Sequence, residues 1–251
     1  MKNDLAKAIL LSSLALMLSC KQAKKNQSAV DKPAQHTSSN NINHVASINS
    51  TNKLEPGNFV PKGYVLAEQI NGDLNGDGLA DCVLMVKNTL KNRIVKDPDR
   101  GILDRNRRGL IVLLNKKDHY EPVVKNLSCF SSENEDGGVY YAPELMVSIE
   151  KGKLYIHYAH GRYGYWKYTF RYGKNDFELI GYDASNNTGP RVDREVSINF
   201  LTKRRLEKNN TNEQASGGDE VFEEKWTDIS LEGLAKLSEV KDFDDFGEGG
   251  W

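Results

Sequence analysis

Hydrophobic and polar residues alternate with a period of two along several segments in the second half of the chain. Between residues 166 and 172, Trp166, Tyr168, Phe170 and Tyr172 alternate with polar side chains. Successive side chains of a β-strand point to opposite faces, so this pattern places the four aromatic residues on one face. It predicts an amphipathic strand whose aromatic side lies against a core.

Other segments show the same alternation or are continuous hydrophobic runs of strand length. The run GLIVLLN, residues 109–115, is typical of a central strand. Turn sequences at Lys151-Gly152 and at 173–176 divide two longer segments into hairpins. The predicted strands and hairpins cover residues 65–70, 82–86, 109–115, 144–159, 166–183, 195–202 and 221–229.

The order of these segments predicts the fold class. Successive hairpins make an antiparallel meander, which can close as a sandwich, a barrel or a partial propeller. Near the C-terminus, Leu231, Leu234, Leu237 and Val240 recur at helical spacing. We therefore expect a mainly β domain with a short C-terminal helix.

Three long segments between the predicted strands are expected to be loops. They are residues 87–108, 131–138 and 207–220. Loops of this length in a compact domain are either functional or flexible, and the third is interpreted as flexible. The segment DASNNTG, residues 183–189, is predicted to be a turn.

The first residues have the pattern of an exported segment. A positive start is followed by a short hydrophobic run, residues 8–18, and then by Ser19-Cys20. A small residue directly before a cysteine at this place resembles the lipobox of bacterial lipoproteins. The resemblance implies that Cys20 is diacylated and becomes the mature N-terminus, anchored in the cell envelope at the outer membrane of a Gram-negative bacterium. The alternative is an ordinary signal peptide with an incidental cysteine.

The composition after Cys20 predicts a tether and one domain. Residues 20–57 contain mostly small, polar and charged residues and no aromatic residue, so they cannot bury enough hydrophobic surface to offset the entropy of ordering. The rest of the chain is long enough for one sizeable core. The predicted organisation is a signal peptide at 1–19, a disordered tether at 20–57 and a β-rich domain at 58–251.

Charge and cysteine content narrow the functional classes. The formal net charge of −1 gives no electrostatic basis for binding nucleic acid. Export removes cysteines from the reducing cytosol, which leaves Cys82 and Cys129 as the one pair available for an intramolecular disulfide. Two buried thiols are the equal alternative.

The strongest chemical signal is the sequence GDLNGDGLAD, residues 72–81, between two predicted strands. The candidate oxygen ligands at alternate positions of this loop are Asp73, Asn75, Asp77, Leu79 through its carbonyl, and Asp81. Oxygen atoms at such spacing can wrap one hard cation such as calcium, and a glycine at the sixth position permits the sharp bend. The sequence predicts a calcium ion at 73–81 that stabilises the fold, and the alternative is a turn without metal.

The pattern strand, D-x-N-x-D-G-x-x-D, strand resembles the calcium loops of FG-GAP repeats, which occur in integrin-type β-propellers and in bacterial surface proteins. The resemblance covers residues 65–86 and implies the same five ligands. The chain differs from an EF-hand, since Leu84 stands where an EF-hand has its bidentate glutamate, and it has one loop where a propeller has several. The whole chain is also similar to a group of envelope lipoproteins in which GDLNGDG precedes TFRY…FELIGYD, a similarity that implies no activity.

A second candidate site lies in HYAHGRYGYW, residues 157–166. Aromatic residues beside an arginine can stack on a sugar ring or grip a peptide, so Arg162, Tyr163 and Trp166 are candidate contacts for a protein or glycan partner. The alternative is aromatic packing at the end of a hairpin.

The sequence contains no G-x-S-x-G, H-E-x-x-H or P-loop motif. We therefore expect a lipid-anchored, noncatalytic binding module with a structural calcium site. One alternative is an envelope hydrolase that uses Glu133, Glu135 or Asp136 near the 157–166 hairpin. The other is an immunity or inhibitor protein.

Overall fold

The computed structural model describes residues 55–134 and 144–249, all within one compact unit of the chain. The strands are β1 (Tyr64–Gly72), β2 (Asp81–Asn88), β3 (Ile94–Asp97), β4 (Gly101–Asp104), β5 (Arg108–Asn115), β6 (Tyr120–Phe130), β7 (Glu144–Glu150), β8 (Lys153–Ala159), β9 (Gly164–Tyr172), β10 (Phe177–Thr188), β11 (Arg191–Asn199), β12 (Arg204–Asn210) and β13 (Phe222–Asp228). The helices are α1 (Phe243–Phe246) and 3-10 turns at Pro56–Phe59, Lys91–Arg93, Gly161–Tyr163 and Leu237–Glu239.

These strands form antiparallel sheets built from hairpins. The first sheet has four strands in the order β1-β2-β5-β6, and the second has seven in the order β13-β12-β11-β10-β9-β8-β7. Strands β3 and β4 form a separate hairpin. Neighbours in the seven-stranded sheet are also neighbours along the chain, which confirms the predicted meander.

The two sheets share one hydrophobic core. Val83 and Leu110 of the first sheet belong to the same buried cluster as Ile156, Tyr168 and Phe170 of the second. The described strands form a sandwich of open sheets and do not close into a barrel. The aromatic face predicted for residues 166–172 lies against this core, as its period of two requires.

The opposite face of the four-stranded sheet carries a smaller buried cluster. Leu84, Ile111 and Leu113 form it, and Phe59 and Val60 from the N-terminal turn pack against it. Strands β2 and β5 are therefore buried on both faces, which explains why GLIVLLN is a continuous hydrophobic run.

Four strands lie where no strand was predicted. Strands β3 and β4 form their hairpin within the segment 87–108, so the prediction of a loop there was partly wrong. Strand β6 contains Pro122, and a proline is tolerated there because β6 is an edge strand that pairs with β5 alone. Strand β12, RRLEKNN, overlaps the loop predicted at 207–220 and is almost entirely polar. Charged cross-strand neighbours hold it, with Lys208 Nζ 3.6 Å from Glu195 and 3.8 Å from Glu224.

The predicted turn at 183–189 was wrong, because residues 183–188 continue β10 to Thr188 and the chain turns at Gly189-Pro190. The predicted C-terminal helix is present, but it is α1 at Phe243–Phe246 rather than the leucine-rich segment before it. That segment is mostly irregular, and its apolar residues Leu237 and Val240 fill the core individually. Among the described residues, no helix is long and apolar enough to cross a membrane.

The two cysteines within the described residues are buried free thiols. Cys129 belongs to the core between the sheets, whereas Cys82 belongs to the cluster on the opposite face of the four-stranded sheet. The sheet itself separates the two side chains, so the disulfide alternative was wrong. Burial raises the pKa of the Cys82 thiol to about 12 and also raises that of Cys129, which keeps both protonated. Cys20 and the predicted tether up to residue 54 lie outside the described residues.

Candidate functional site

The acidic loop joins the first two strands of the four-stranded sheet. The pair Gly72 and Asp81 is the last of the β1–β2 register before the loop, so the loop is the closed end of a hairpin. Its backbone contains two left-handed positions, Gly76 with a φ of 80° and Gly78 with a φ of 82°. Glycine adopts this conformation without strain, so the two glycines allow the loop to curl tightly.

The side chain at the start of the loop caps the loop from inside. Asp73 accepts hydrogen bonds from the backbone N–H of Gly76 at 2.7 Å and of Gly78 at 2.9 Å, through different carboxylate oxygens. The hydrogen bond from Gly78 is the main cause of a lowered pKa at Asp73. The carboxylate is therefore ionised and aimed at the centre of the turn.

Asn75 and Asp77 repeat this arrangement one step further along. Asn75 Oδ1 accepts from the N–H of Asp77 at 2.9 Å, and Asp77 Oδ1 accepts from the N–H of Leu79 at 2.8 Å. Asn75 Nδ2 also donates to Asp77 Oδ2 at 2.9 Å. Such side-chain turns are the local reason that Asp, Asn and Gly cluster in tight loops.

The last acidic residue of the loop has a different environment, because Asp81 is fully buried. One carboxylate oxygen accepts from the N–H of Leu74 and the other from the N–H of Asn115, both at 2.8 Å. Burial raises the pKa of Asp81, these two hydrogen bonds oppose the rise, and the charges of Asp77 and Asp73 add to it. Asp81 thus ties the loop to the end of β5.

The donor set of the loop fits a hard cation in its chemistry. The candidate ligands are oxygen atoms, and a carboxylate oxygen that accepts one hydrogen bond keeps a second lone pair. Within residues 55–134 and 144–249, however, no three acidic, histidine or cysteine side chains are grouped closely enough to hold a metal. Asp73 and Asp77 would have to turn toward a common point with Asn75 and the Leu79 carbonyl, so the five-ligand calcium site stays a prediction.

A shallow cleft of about 410 Å³ opens beside the loop. Gly72, Asp73 and Gly76 line one side, and Ile149 with the Lys151-Gly152 turn between β7 and β8 lines the other. The loop therefore lies where the edge strands of the two sheets approach each other.

The aromatic hairpin lies at the opposite end of the sandwich, because β8 runs from Lys153 beside the loop to Ala159. Arg162 is exposed and Tyr163 is 48% exposed on the turn between β8 and β9. Trp166 instead packs inward, with ring centroids 5.4 Å from Tyr158 and 4.1 Å from His160. The three predicted contact residues are therefore divided between surface and core.

The described part of the 157–166 hairpin and Glu133 show no shared catalytic arrangement. His157 packs against Tyr165 at 5.3 Å, whereas His160 packs against Trp166. Burial opposes ionisation of Glu133, but its hydrogen bond from Lys87 at 2.9 Å lowers its pKa overall. Glu133 is thus a paired carboxylate, and Glu135 and Asp136 lie outside the described residues.

Sequence reasoning missed two features that the structure supplies. Asn115, the anchor of Asp81, is 34 residues further along the chain, so no local pattern could identify it. The second feature is Tyr158, which is buried and stacked on Trp166. The sequence indicated it only as one hydrophobic position of a predicted strand.

Comparison with known protein families, with curated proteins and with solved structures finds no match to this chain.

Proposed function

We propose that this chain is a lipid-anchored protein of the bacterial cell envelope that acts as a noncatalytic binding module, with calcium as a structural clip in the loop at 73–81. The anchor is the diacylated Cys20 at the outer membrane of a Gram-negative bacterium. The sandwich is the binding domain, and its partner is an envelope glycan or protein.

One observation carries the proposal. The loop presents oxygen ligands on a hairpin that is already closed, since Asp81 fixes it to β5 and the turns at Asp73, Asn75 and Asp77 curl it. The backbone of the hairpin is thus in place, and the side chains of Asp73 and Asp77 would turn toward the ion. The charges of Asp73 and Asp77 raise the pKa of buried Asp81, and a divalent cation would turn this repulsion into attraction.

The loop's position supports a structural rather than a catalytic ion. It joins two strands of the core sheet, and the carboxylates make hydrogen bonds within the loop itself. A ligand that binds only the folded state stabilises it by RT ln(1 + [L]/Kd), about 2.7 kcal/mol at a hundredfold excess over Kd. Calcium bound here would therefore stabilise the β1–β2 register.

The exposed turn between β8 and β9 supports a contact surface away from the ion. Arg162 and Tyr163 project from a 3-10 turn without being part of the core. Trp166, behind them, holds the turn through its ring contacts. Contact residues on a rigid support are typical of binding modules.

The anchor is tested by fractionation. Changing Cys20 to alanine removes the acylated thiol, so the protein should move from the detergent-soluble membrane fraction to the soluble fraction. An unchanged distribution would contradict the lipid anchor.

The binding function is tested by screening the full chain against envelope glycans and envelope proteins, with calcium and with chelator. The double change Arg162→Ala and Tyr163→Ala should abolish binding to the ligand found and leave the melting temperature nearly unchanged. A matched control is Lys174→Ala on the β9–β10 turn, at the opposite end of the same strands. A large fall in melting temperature of the double variant would show that these residues support the core instead.

A further inference from the structure

Among the residues that the structure describes, three polar side-chain atoms at the β8–β9 end of the sandwich are buried without a hydrogen-bond partner. They are the Tyr158 hydroxyl, the His160 Nε2 and the Trp166 Nε1. Tyr158 is only 1% exposed. Buried polar groups in native proteins are almost always paired, so three unpaired ones call for an explanation.

The three groups belong to one cluster. The Trp166 ring is stacked with that of Tyr158 and touches that of His160, at centroid distances of 5.4 and 4.1 Å. His160 and Trp166 are partly exposed, so the cluster reaches the surface beside the exposed turn that carries Arg162 and Tyr163.

The free protein would be more stable if the side chains of this cluster had no polar atoms. A phenylalanine would fill the place of Tyr158 with no unpaired hydroxyl, and unpaired buried groups lower the stability of the free protein. Groups kept at a cost in stability are typical of functional sites. The hydroxyl, the imidazole nitrogen and the indole N–H are thus available to a ligand.

The charged side chains near the cluster and the hydrogen-bonding groups within it indicate which class of ligand would fit. Asp244 and Asp242 act on Tyr158 with negative charge, and Arg108 acts with positive charge. Asp242 is paired with Arg107 at 2.7 Å, and Asp244 also acts on His160. Charges of both signs therefore surround the cluster, and none of its three side chains carries a permanent charge. A neutral ligand that both donates and accepts hydrogen bonds matches the indole donor, the hydroxyl and the imidazole nitrogen.

We propose that Tyr158, His160 and Trp166 form a binding site for a neutral hydroxylated ligand, a saccharide unit. Its hydroxyls can accept from the indole N–H and both donate to and accept from the tyrosine and histidine. The three polar atoms are covered in this structure, so the partly exposed His160 and Trp166 rings would have to turn aside to admit the sugar. Arg162 and Tyr163 form the rim. This inference rests on the proposed binding function and names its ligand class.

The test is calorimetric titration of the full chain with a panel of neutral mono- and disaccharides, including N-acetylglucosamine, galactose and glucose. Tyr158→Phe keeps the ring and deletes the hydroxyl, and Trp166→Phe deletes the indole N–H and replaces the indole with a smaller phenyl ring. Each should weaken saccharide binding by about tenfold or more. The matched control Tyr155→Phe, on the opposite face of β8, should leave binding unchanged.

A second measurement is the melting temperature of Tyr158→Phe without saccharide. It should equal or exceed that of the parent, because the hydroxyl has no partner to lose. A lower melting temperature would show a structural hydrogen bond and overturn the proposal, as would the absence of saturable binding across the panel. Binding of an envelope protein without binding of any saccharide would overturn this inference and would still support the proposed binding function.

Discussion

Asp73 and Asp81 show how position in one loop gives the same side chain two roles. Asp73 is accessible and its pKa is lowered by backbone N–H groups, chiefly that of Gly78. Asp81 is buried, and both of its oxygens accept backbone hydrogen bonds that close the loop. The spacing of the acidic residues predicted that they share a loop. It could not separate these roles, because burial of Asp81 depends on β5.

Changing Asp81 to asparagine should therefore destabilise the fold more than changing Asp77. Asparagine puts an NH₂ group against one of two backbone N–H donors, which leaves a buried donor unpaired at a cost of about 1–3 kcal/mol. Urea unfolding in chelator measures the free energy of unfolding. Asp77→Asn is the exposed control and should change it by less than about 0.5 kcal/mol. Equal losses in the two variants would contradict the anchoring role of Asp81.

The buried histidines make stability depend on pH. Burial lowers the pKa of His157 and His160 below 6.5, with Lys167 adding to the effect at His157 and Asp244 opposing it at His160. The folded state then binds fewer protons than the unfolded state between the two pKa values. This stability is fully present above pH 6.5 and falls as the pH drops through the folded pKa values.

The melting temperature should accordingly fall as the pH drops from about 7 through 6.5, the ordinary histidine pKa, toward the lower pKa values of the folded state. His160→Gln removes one of the two groups, so its melting temperature should fall less over the same interval. His119→Gln, at an exposed loop position, is the control and should follow the parent. A melting temperature that rises on acidification in this interval would contradict the predicted direction of the pH dependence of stability.

At the scale of elements, hairpins with alternating apolar residues were predictable, and a strand of almost entirely polar sequence was not. The turns at Lys151-Gly152 and at 173–176 lie where the sequence placed them, because a hairpin is a local structure. Strand β12 is held by charged neighbours on β11 and β13, and its polar sequence carries no periodicity that would reveal them. Burial of Leu237 and Val240 likewise follows from the two sheets rather than from a helix.

The contact between β1 and β7 should be sensitive to one methyl group. A Cβ on Gly72 would lie 2.6 Å from Ile149 Cγ2, so Gly72→Ala should cost about 1–3 kcal/mol of unfolding free energy. Gly57→Ala is the control, since its Cβ would meet nothing within 4 Å. Adding Ile149→Ala removes the Cγ2 contact and leaves the Cβ at 2.9 Å, so it should reduce the cost of Gly72→Ala in a double-mutant cycle. An undiminished cost would mean that the Ile149 side chain does not limit this contact.

At the scale of the molecule, the C-terminal segment joins the two sheets. Asn126 of β6 donates to the carbonyls of Leu237 at 2.9 Å and Val240 at 2.7 Å, and Tyr168 of β9 donates to that of Phe243 at 3.2 Å. These long-range contacts place Leu237, Val240 and Phe243 in the core, whereas the sequence indicated only a late apolar segment at helical spacing. The mainly β class was predictable because alternation is local, and the closure of the sandwich was not.

We have proposed that calcium in the loop at 73–81 stabilises this fold. Extracellular calcium sites commonly have Kd values of about 10⁻⁴ to 10⁻³ M. A tenfold excess of calcium over Kd would then add about 1.4 kcal/mol. For a domain of this size, that corresponds to a rise of a few degrees in melting temperature.

The most direct measurement is a thermal melt of the full chain in detergent, in chelator, in millimolar calcium and in millimolar magnesium. Calcium should raise the melting temperature, and magnesium should substitute poorly because it requires a smaller, near-octahedral shell. Asp77→Ala should abolish the calcium shift, whereas Asp99→Ala, in an acidic turn outside the loop, should retain it. Identical melts in chelator and in calcium would mean that GDLNGDGLAD is a turn without a metal.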